Sequence, residues 1–192
     1  MEKSGIIFRK AGKEDASFVA QAVLAAVDAG DFDSVQDYER KKTLDVLNGI
    51  ICLEGTLYSL KNALISEVEG ERAGCIIAYD GARYKAMKEK TFNLLKEGLG
   101  LDFTGMDDEA GKGEYYLDSL AVSPRFRKRG IGRLLIMQAL EAGEALGFSK
   151  ASLLVLRSDK GLRGLYSALG FVAEGKRMCF GKEYIRMTIP LH

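Results

Sequence analysis

Histidine is almost missing from this 192-residue chain, whose single imidazole belongs to the last residue, His192. Because Ser-His-Asp and Cys-His mechanisms both need an imidazole base beside the nucleophile, we expect neither of them here. Zinc sites that use several imidazoles are excluded for the same reason. A carboxylate-only magnesium or calcium site stays open, but no calcium-loop spacing occurs in the sequence, and we expect no metal.

Cysteine and proline are also scarce. The three cysteines, Cys52, Cys75 and Cys179, are far apart and form no Cys-x-x-Cys pair. This usage is typical of a reducing compartment and predicts no disulfide framework. With only two prolines, and no repeat or low-complexity tract to divide it, the chain is predicted to form a single domain over residues 1–192.

The chain has little net charge and no long apolar run. Its 28 basic and 27 acidic residues leave a formal charge of +1, so no global field favours a nucleic-acid partner. The first ten residues lack the apolar stretch of a signal peptide, and no stretch is long enough to cross a membrane. We therefore expect a cytoplasmic protein without membrane or nucleic-acid partners.

Apolar periodicity predicts an α/β domain with helices packed on a mixed sheet. Spacing of three and four residues predicts helices near 14–29, 38–53, 84–95, 131–146 and 160–169. Apolar or alternating runs predict strands near 6–9, 63–68, 73–79, 115–122, 151–156, 171–180 and 183–189. Gly147 is expected to close the fourth helix.

The most informative stretch runs from Leu120 to Arg133. An apolar strand ends at Val122, and a turn containing two glycines opens a helix. The first N–H groups of that helix have no intrahelical partner, and with the helix dipole they form an anion site. Five of the nine residues from 125 to 133 are Arg or Lys, which suits a ligand with several phosphates. The alternative is a solvated basic turn. The spacing matches neither a Walker loop nor a dinucleotide fingerprint.

At these residues the chain resembles the GNAT N-acetyltransferase family. Arg127-Lys128-Arg129-Gly130-Ile131-Gly132 is similar to the family's acetyl-CoA motif, Arg/Gln-x-x-Gly-x-Gly/Ala. Residues 159–171 are similar to its Asn-x-x-Ala-x-x-Leu-Tyr-x-x-x-Gly-Phe segment, and residues 8–16 to its opening strand and helix. The resemblance implies a mixed, mostly antiparallel sheet of about seven strands, flanked by helices and splayed at the cofactor strand. It also implies direct acetyl transfer from acetyl-CoA, the co-substrate, to a primary amine in a ternary complex.

The resemblance further implies which residues hold acetyl-CoA. The pyrophosphate is expected on the backbone of 127–132 and the pantetheine arm along strand 120–122, with the Val122 N–H as oxyanion donor. Asp159 stands where the family usually has Asn, and we predict that it caps a helix. The expected cofactor contacts are Leu120, Ala121, Val122, Arg127, Lys128, Arg129, Gly130, Ile131, Gly132, Arg133, Asp159, Leu162 and Tyr166.

Tyr166 and Asp118 are the catalytic candidates. By resemblance, Tyr166 is the acid that protonates the departing thiolate. It also belongs to the apolar stripe Leu162, Leu165, Tyr166, Leu169, which is typical of a core position. Asp118 lies on the cofactor strand, where its carboxylate could take the amine proton, and a purely structural role is the alternative. Glu114 is a weaker candidate for the base, and other family members carry an acid at the position of Tyr116.

The acceptor has a weaker signal. Six acids and one base, Lys112, lie between positions 102 and 118; the acids are Asp102, Asp107, Asp108, Glu109, Glu114 and Asp118. If this loop borders the acceptor channel, whose walls are expected within 28–60 and 81–113, it favours a cationic small molecule or a peptide N-terminus. Otherwise it is a solvated face.

Two alternative functions remain: a CoA-binding regulator without turnover, and a nucleic-acid module on residues 125–133. A homodimer is left open.

Overall fold

The computed structural model describes residues 5–28, 38–103 and 105–192. Five helices and seven strands occur within these ranges, each close to its predicted position. The helices are α1 (Ala16–Asp28), α2 (Tyr38–Ile51), α3 (Tyr84–Leu99), α4 (Ile131–Ala145) and α5 (Lys160–Ala168). The strands are β1 (Ile6–Lys10), β2 (Ala63–Val68), β3 (Glu71–Asp80), β4 (Tyr115–Val122), β5 (Lys150–Leu156), β6 (Val172–Cys179) and β7 (Lys182–Pro190). Parts of the predicted acceptor walls, positions 29–37 and 104, lie outside the described residues.

All seven strands form one sheet in the order β1-β2-β3-β4-β5-β7-β6. Every neighbouring pair is antiparallel except β4 and β5, which run parallel. The parallel pair is joined by α4, as a crossover between parallel strands requires. The predicted fold, a mixed and mostly antiparallel sheet flanked by helices, is confirmed.

Two apolar clusters cover the two faces of the sheet. Residues of α1, α2 and α3 pack against one face, and residues of α4 and α5 pack against the other. Successive residues of β4 point to opposite faces, so Tyr116 joins the first cluster while Tyr115 and Leu117 join the second. The site discussed below therefore begins from a strand that is buried on both sides.

The sheet opens between β4 and β5. Their parallel pairing runs from Tyr115↔Ala151 to Leu117↔Leu153 and stops there, although β5 continues beside β7 as far as Leu156↔Tyr184. The edge of β4 from 118 to 122 therefore faces a gap rather than a neighbouring strand. The expected splay at this strand is confirmed.

A β-bulge marks the residue at which the gap begins. On β3, Ile77 lies opposite Ser119 and Ala78 lies opposite Leu117, so Asp118 is the extra residue of β4. A bulge of this kind re-aims side chains and ends regular pairing. Asp118 keeps the facing of Tyr116, toward the cluster that contains Tyr79, and the bulge turns Leu120 and Val122 to the opposite face of the sheet.

Two predicted helix-terminal residues, Asp159 and Gly147, are confirmed. The Asp159 side chain caps α5 by accepting a hydrogen bond of 2.8 Å from the Leu162 N–H. Gly147 follows α4 in the left-handed conformation, with φ of 83°. Within the described ranges, no helix has the length and apolar character needed to cross a membrane.

Candidate active site

A side-chain hydrogen bond and two left-handed residues fix the shape of the turn between β4 and α4. The Arg127 side chain donates from Nε to the Val122 carbonyl at 3.2 Å, which ties the turn to the end of the strand. Lys128 and Gly130 both adopt left-handed backbone conformations, with φ of 61° and 78°. Left-handed residues in a tight turn direct successive N–H groups to one side, which creates a concave anion site. A strained non-glycine residue such as Lys128 is typical of functional sites.

The first turn of α4 is not capped by a side chain within the described part of the protein. Its leading N–H groups therefore face the turn without an intrahelical or side-chain partner. A Cβ added to Gly132 would lie 3.6 Å from a Val122 methyl and 4.0 Å from a Leu120 methyl, so this glycine lies directly beside the strand end. The exposed cations Lys128 and Arg133 flank the same helix start. The dipole of α4, its free N–H groups and the two cations all favour the binding of an anion at this helix start.

A groove of about 600 Å³ runs from this turn along the open edge of β4. It brings together eleven of the predicted cofactor contacts, namely Leu120, Ala121, Val122, Arg127, Lys128, Gly130, Ile131, Gly132, Arg133, Asp159 and Leu162. Ala25 of α1, Phe126 and Leu165 also line it, although the sequence pattern did not single them out. Arg129 is not a lining residue, and its guanidinium lies over the Phe126 ring at 5.4 Å.

Tyr166 and Asp118 both line a small cavity where β4 and β5 separate. This cavity of about 20 Å³ is lined by both residues and by Leu120, which also lines the groove. Tyr166 is buried against Phe171, at a ring-centroid distance of 5.8 Å. Burial, and secondarily Asp159, raises the pKa of Tyr166 to about 12, so its hydroxyl keeps the proton at neutral pH. The core position and a place at the site are therefore compatible.

The Asp118 carboxyl is held by two hydroxyl donors. Tyr79 donates to it at 2.5 Å and Ser119 donates at 2.8 Å. Burial raises the pKa of Asp118, while these two hydrogen bonds partly oppose that rise. A carboxylate with raised pKa that two hydroxyl groups hold in place is suited to accept a proton.

A second carboxylate, Glu109, lies close to the first. Tyr116 donates to it at 2.6 Å and Tyr84 donates at 3.4 Å. Burial, and then the charge of Asp118, raises the pKa of Glu109 to about 7. The sequence places Glu109 only within an acidic loop and shows no signal that separates it from its neighbours. The three tyrosines that surround the pair come from β3, α3 and β4.

The other loop acids contact groups outside this pair. Glu114, the weaker candidate for the base, is buried in an ion pair with Arg186, lies 3.7 Å from Lys150, and accepts from the Gly111 N–H at 2.7 Å. The three exposed acids have partners on α3 or β6. Asp102 pairs with Lys96 at 2.7 Å, and Asp107 accepts a hydrogen bond of 2.7 Å from the Met178 N–H. Asp108 pairs with Lys88 at 3.0 Å and with Lys85 at 3.4 Å. Only two of the six acids therefore face the tyrosines.

Comparisons with known proteins point to one family and one fold. The model of the acetyltransferase (GNAT) family matches residues 57–171, more than half of the chain. A crystal structure described as an acetyltransferase is 27% identical, with 97% of this chain and 100% of that chain covered at a TM-score of 0.76. An N-acetyltransferase from Staphylococcus aureus Mu50 is 25% identical, with 95% and 100% covered and a TM-score of 0.76. No protein among the curated sequences matches the chain.

Proposed function

Because the chain belongs to the GNAT acetyltransferase family and is thus an acyltransferase, we propose that it moves an acetyl group from acetyl-CoA to a primary amine by direct transfer. The observation that carries this proposal is the continuity of the site. An uncapped helix start, an unpaired strand edge and the Asp118–Tyr166 cavity follow one another along β4. Such an order suits a long ligand with phosphates at one end and a reactive thioester at the other.

The residues of the groove fit acetyl-CoA. The backbone of 127–132 would hold the pyrophosphate, since Gly132 leaves the helix start free of a side chain beside Val122. The open edge of β4 at 120–122 offers main-chain groups to which the pantetheine arm can pair as an added strand. Leu162 and Leu165 supply apolar walls on the opposite side. Bound there, acetyl-CoA supplies an activated acyl group that needs no covalent enzyme intermediate.

Two side chains and one backbone N–H of this chain then transfer the protons and stabilise the negative charge that develops in the reaction. Asp118 takes a proton from the acceptor amine, and the freed lone pair forms the C–N bond to the acetyl carbon. The Val122 N–H is the proposed donor to the carbonyl oxygen as it gains negative charge. As the C–S bond breaks, Tyr166, which keeps its proton at neutral pH, gives that proton to the sulfur, and the second proton that the attacking nitrogen releases after the C–N bond forms restores the tyrosine. The acceptor class we propose is a cationic small molecule or a peptide N-terminus.

The test separates binding from turnover. Calorimetry should detect coenzyme A binding to the wild-type chain, and an assay of thiol release from acetyl-CoA with spermidine, glucosamine and a tripeptide should detect turnover. Tyr166→Phe should lower kcat on the order of 100-fold, because a positioned acid is lost, while coenzyme A binding is kept.

Tyr115→Phe is the matched control. Tyr115 is buried on the face covered by α4 and its hydroxyl contacts the Ala78 carbonyl at 3.5 Å, so the control should retain wild-type kcat. Absence of coenzyme A binding would refute the proposal. Binding with unchanged kcat in Tyr166→Phe would refute the role of Tyr166 alone.

A further inference from the structure

Two carboxylates from different segments share one tyrosine-lined interior on the acceptor side of β4. We propose that Glu109 and Asp118 act together as the base, the pair taking up one proton from the acceptor ammonium and Glu109 holding it. This inference deepens the proposed function and depends on it. It assigns a catalytic part to a loop residue that the sequence pattern treats as one surface acid among six.

The contacts join the two carboxylates into one unit. The Tyr79 hydroxyl donates to Asp118, and the Tyr116 hydroxyl donates to Glu109. The rings of these two tyrosines pack at a centroid distance of 5.7 Å, and Tyr84 packs on Tyr116 at 6.3 Å. All three rings are almost fully buried, with exposed fractions of 3% or less. A rigid, buried wall therefore holds both carboxylates in fixed positions.

Neither carboxylate is neutralised by a cation within the described part of the chain. Lys88 of α3 is the nearest base to Glu109, but its ammonium donates to the Met106 carbonyl at 2.9 Å and pairs with Asp108. The remaining titratable groups around the pair are neutral at pH 7; they are Tyr58, Tyr79, Tyr84, Tyr116 and Cys179. A cationic amine is then the group that best balances this interior.

The two carboxylates have different roles in removing the proton from the amine. Asp118 lines the small cavity with Tyr166, so it is the member that meets the reacting amine. Burial, and then the negative charge of Asp118, raises the pKa of Glu109 to about 7, which makes Glu109 the member that accepts a proton most readily near neutral pH. The acceptor ammonium loses one proton to the pair before it attacks, and the pair returns that proton to solvent after the product leaves. The second N–H proton, lost once the C–N bond has formed, replaces the proton that Tyr166 gives to the sulfur. No oxidant, metal or further reactant is needed.

The acceptor-free test uses tyrosine fluorescence, which is directly visible because the chain has eight tyrosines and no tryptophan. The Glu109 carboxyl is hydrogen-bonded to the Tyr116 hydroxyl, so its ionisation changes the fluorescence emission of the Tyr116 ring. The wild-type chain should show a transition with a midpoint near 7, and Glu109→Gln should lose it. Asp102→Asn, which removes an exposed carboxylate of the same loop, should keep it. A wild-type titration without such a transition overturns the proposal.

The catalytic test uses the amine that gives the fastest thiol release among spermidine, glucosamine and the tripeptide. For the wild type, kcat/KM should fall as the pH drops below about 7, because a protonated Glu109 cannot accept the amine proton. Glu109→Gln should lower kcat/KM about 100-fold at pH 7 and remove this inflection, while Asp102→Asn changes neither.

The outcomes separate this inference from the proposed function. If coenzyme A binds and thiol is released, but Glu109→Gln keeps the wild-type pH profile, Glu109 has no part in the base and only this inference fails. If coenzyme A does not bind, the acetyltransferase proposal and this inference fail together. A circular dichroism melt of Glu109→Gln identifies a folding defect, in which case Glu109→Asp, which keeps the carboxylate, should restore the inflection.

Discussion

The groove at the start of α4 and the tyrosine-lined interior both border β4 but are built in opposite ways. The groove takes most of its lining from one continuous segment, 120–133, which includes the uncapped start of α4. The interior around Glu109 and Asp118 takes its side chains from β3, α3, the loop before β4 and β4 itself. A ligand common to a whole family can be bound by main chain, whereas a particular acceptor needs particular side chains.

The largest expected effect tests whether the groove depends on bare backbone. Gly132→Val adds an isopropyl group at the helix start, beside Leu120 and Val122. It should weaken coenzyme A binding by about 4 kcal/mol, on the order of 1000-fold, because charge-assisted hydrogen bonds to the phosphates are lost. Isothermal calorimetry measures the change.

Gly49→Val is the control for that substitution. Gly49 is exposed on α2 and a Cβ there would meet nothing within 4 Å, so coenzyme A affinity should stay at the wild-type value. Unchanged affinity in Gly132→Val would show that the groove is recognised through side chains, and the contrast with the interior would disappear.

Much of the fold was predictable because its signals are local. Apolar spacing placed every helix and strand within a few residues, and β4 was predicted at its observed bounds of 115 and 122. The α3 helix ends at Leu99 instead of near 95, since the left-handed Gly100, with φ of 71°, provides its stop. The phosphate turn is equally local, since its glycines, cations and helix start are adjacent in the sequence.

The interior around Glu109 was not predictable for a physical reason. Tyr79, Tyr84, Glu109 and Tyr116 meet only after β3, α3 and β4 pack together, and no spacing rule connects them. The sequence also shows no signal that separates Glu109 from the exposed acids of the loop. Burial separates them, because a buried carboxylate needs either hydroxyl donors or a cation, and the fold supplies hydroxyls to Glu109 and Arg186 to Glu114. The catalytic and cofactor assignments themselves stay predictions.

A medium effect tests whether Glu114 is structural while Glu109 is not. Glu114→Gln leaves the buried Arg186 guanidinium with Glu174 as its remaining acid partner at 3.0 Å. Breaking a buried ion pair should cost about 3 kcal/mol and lower Tm by about 10 °C, without altering the pH dependence of kcat/KM.

Differential scanning calorimetry measures this loss. Glu183→Gln is the control, since Glu183 pairs with Arg157 and Lys176 at the surface and its loss should leave Tm nearly unchanged. If Glu114→Gln instead shifts the pH dependence of kcat/KM and keeps the wild-type Tm, Glu114 acts as a base.

The smallest expected effect tests whether the outer acids attract the acceptor. Asp108 is exposed and already paired with Lys88 and Lys85, so water and salt screen its charge. Asp108→Asn should therefore raise KM for a cationic amine by about twofold or less, and the difference should vanish at high salt. Glu141→Gln on α4, at the opposite face of the sheet, should change nothing. A much larger rise in KM for Asp108→Asn would mean that acceptor recognition extends over the whole acidic loop, and that the tyrosine-lined interior is only its inner end.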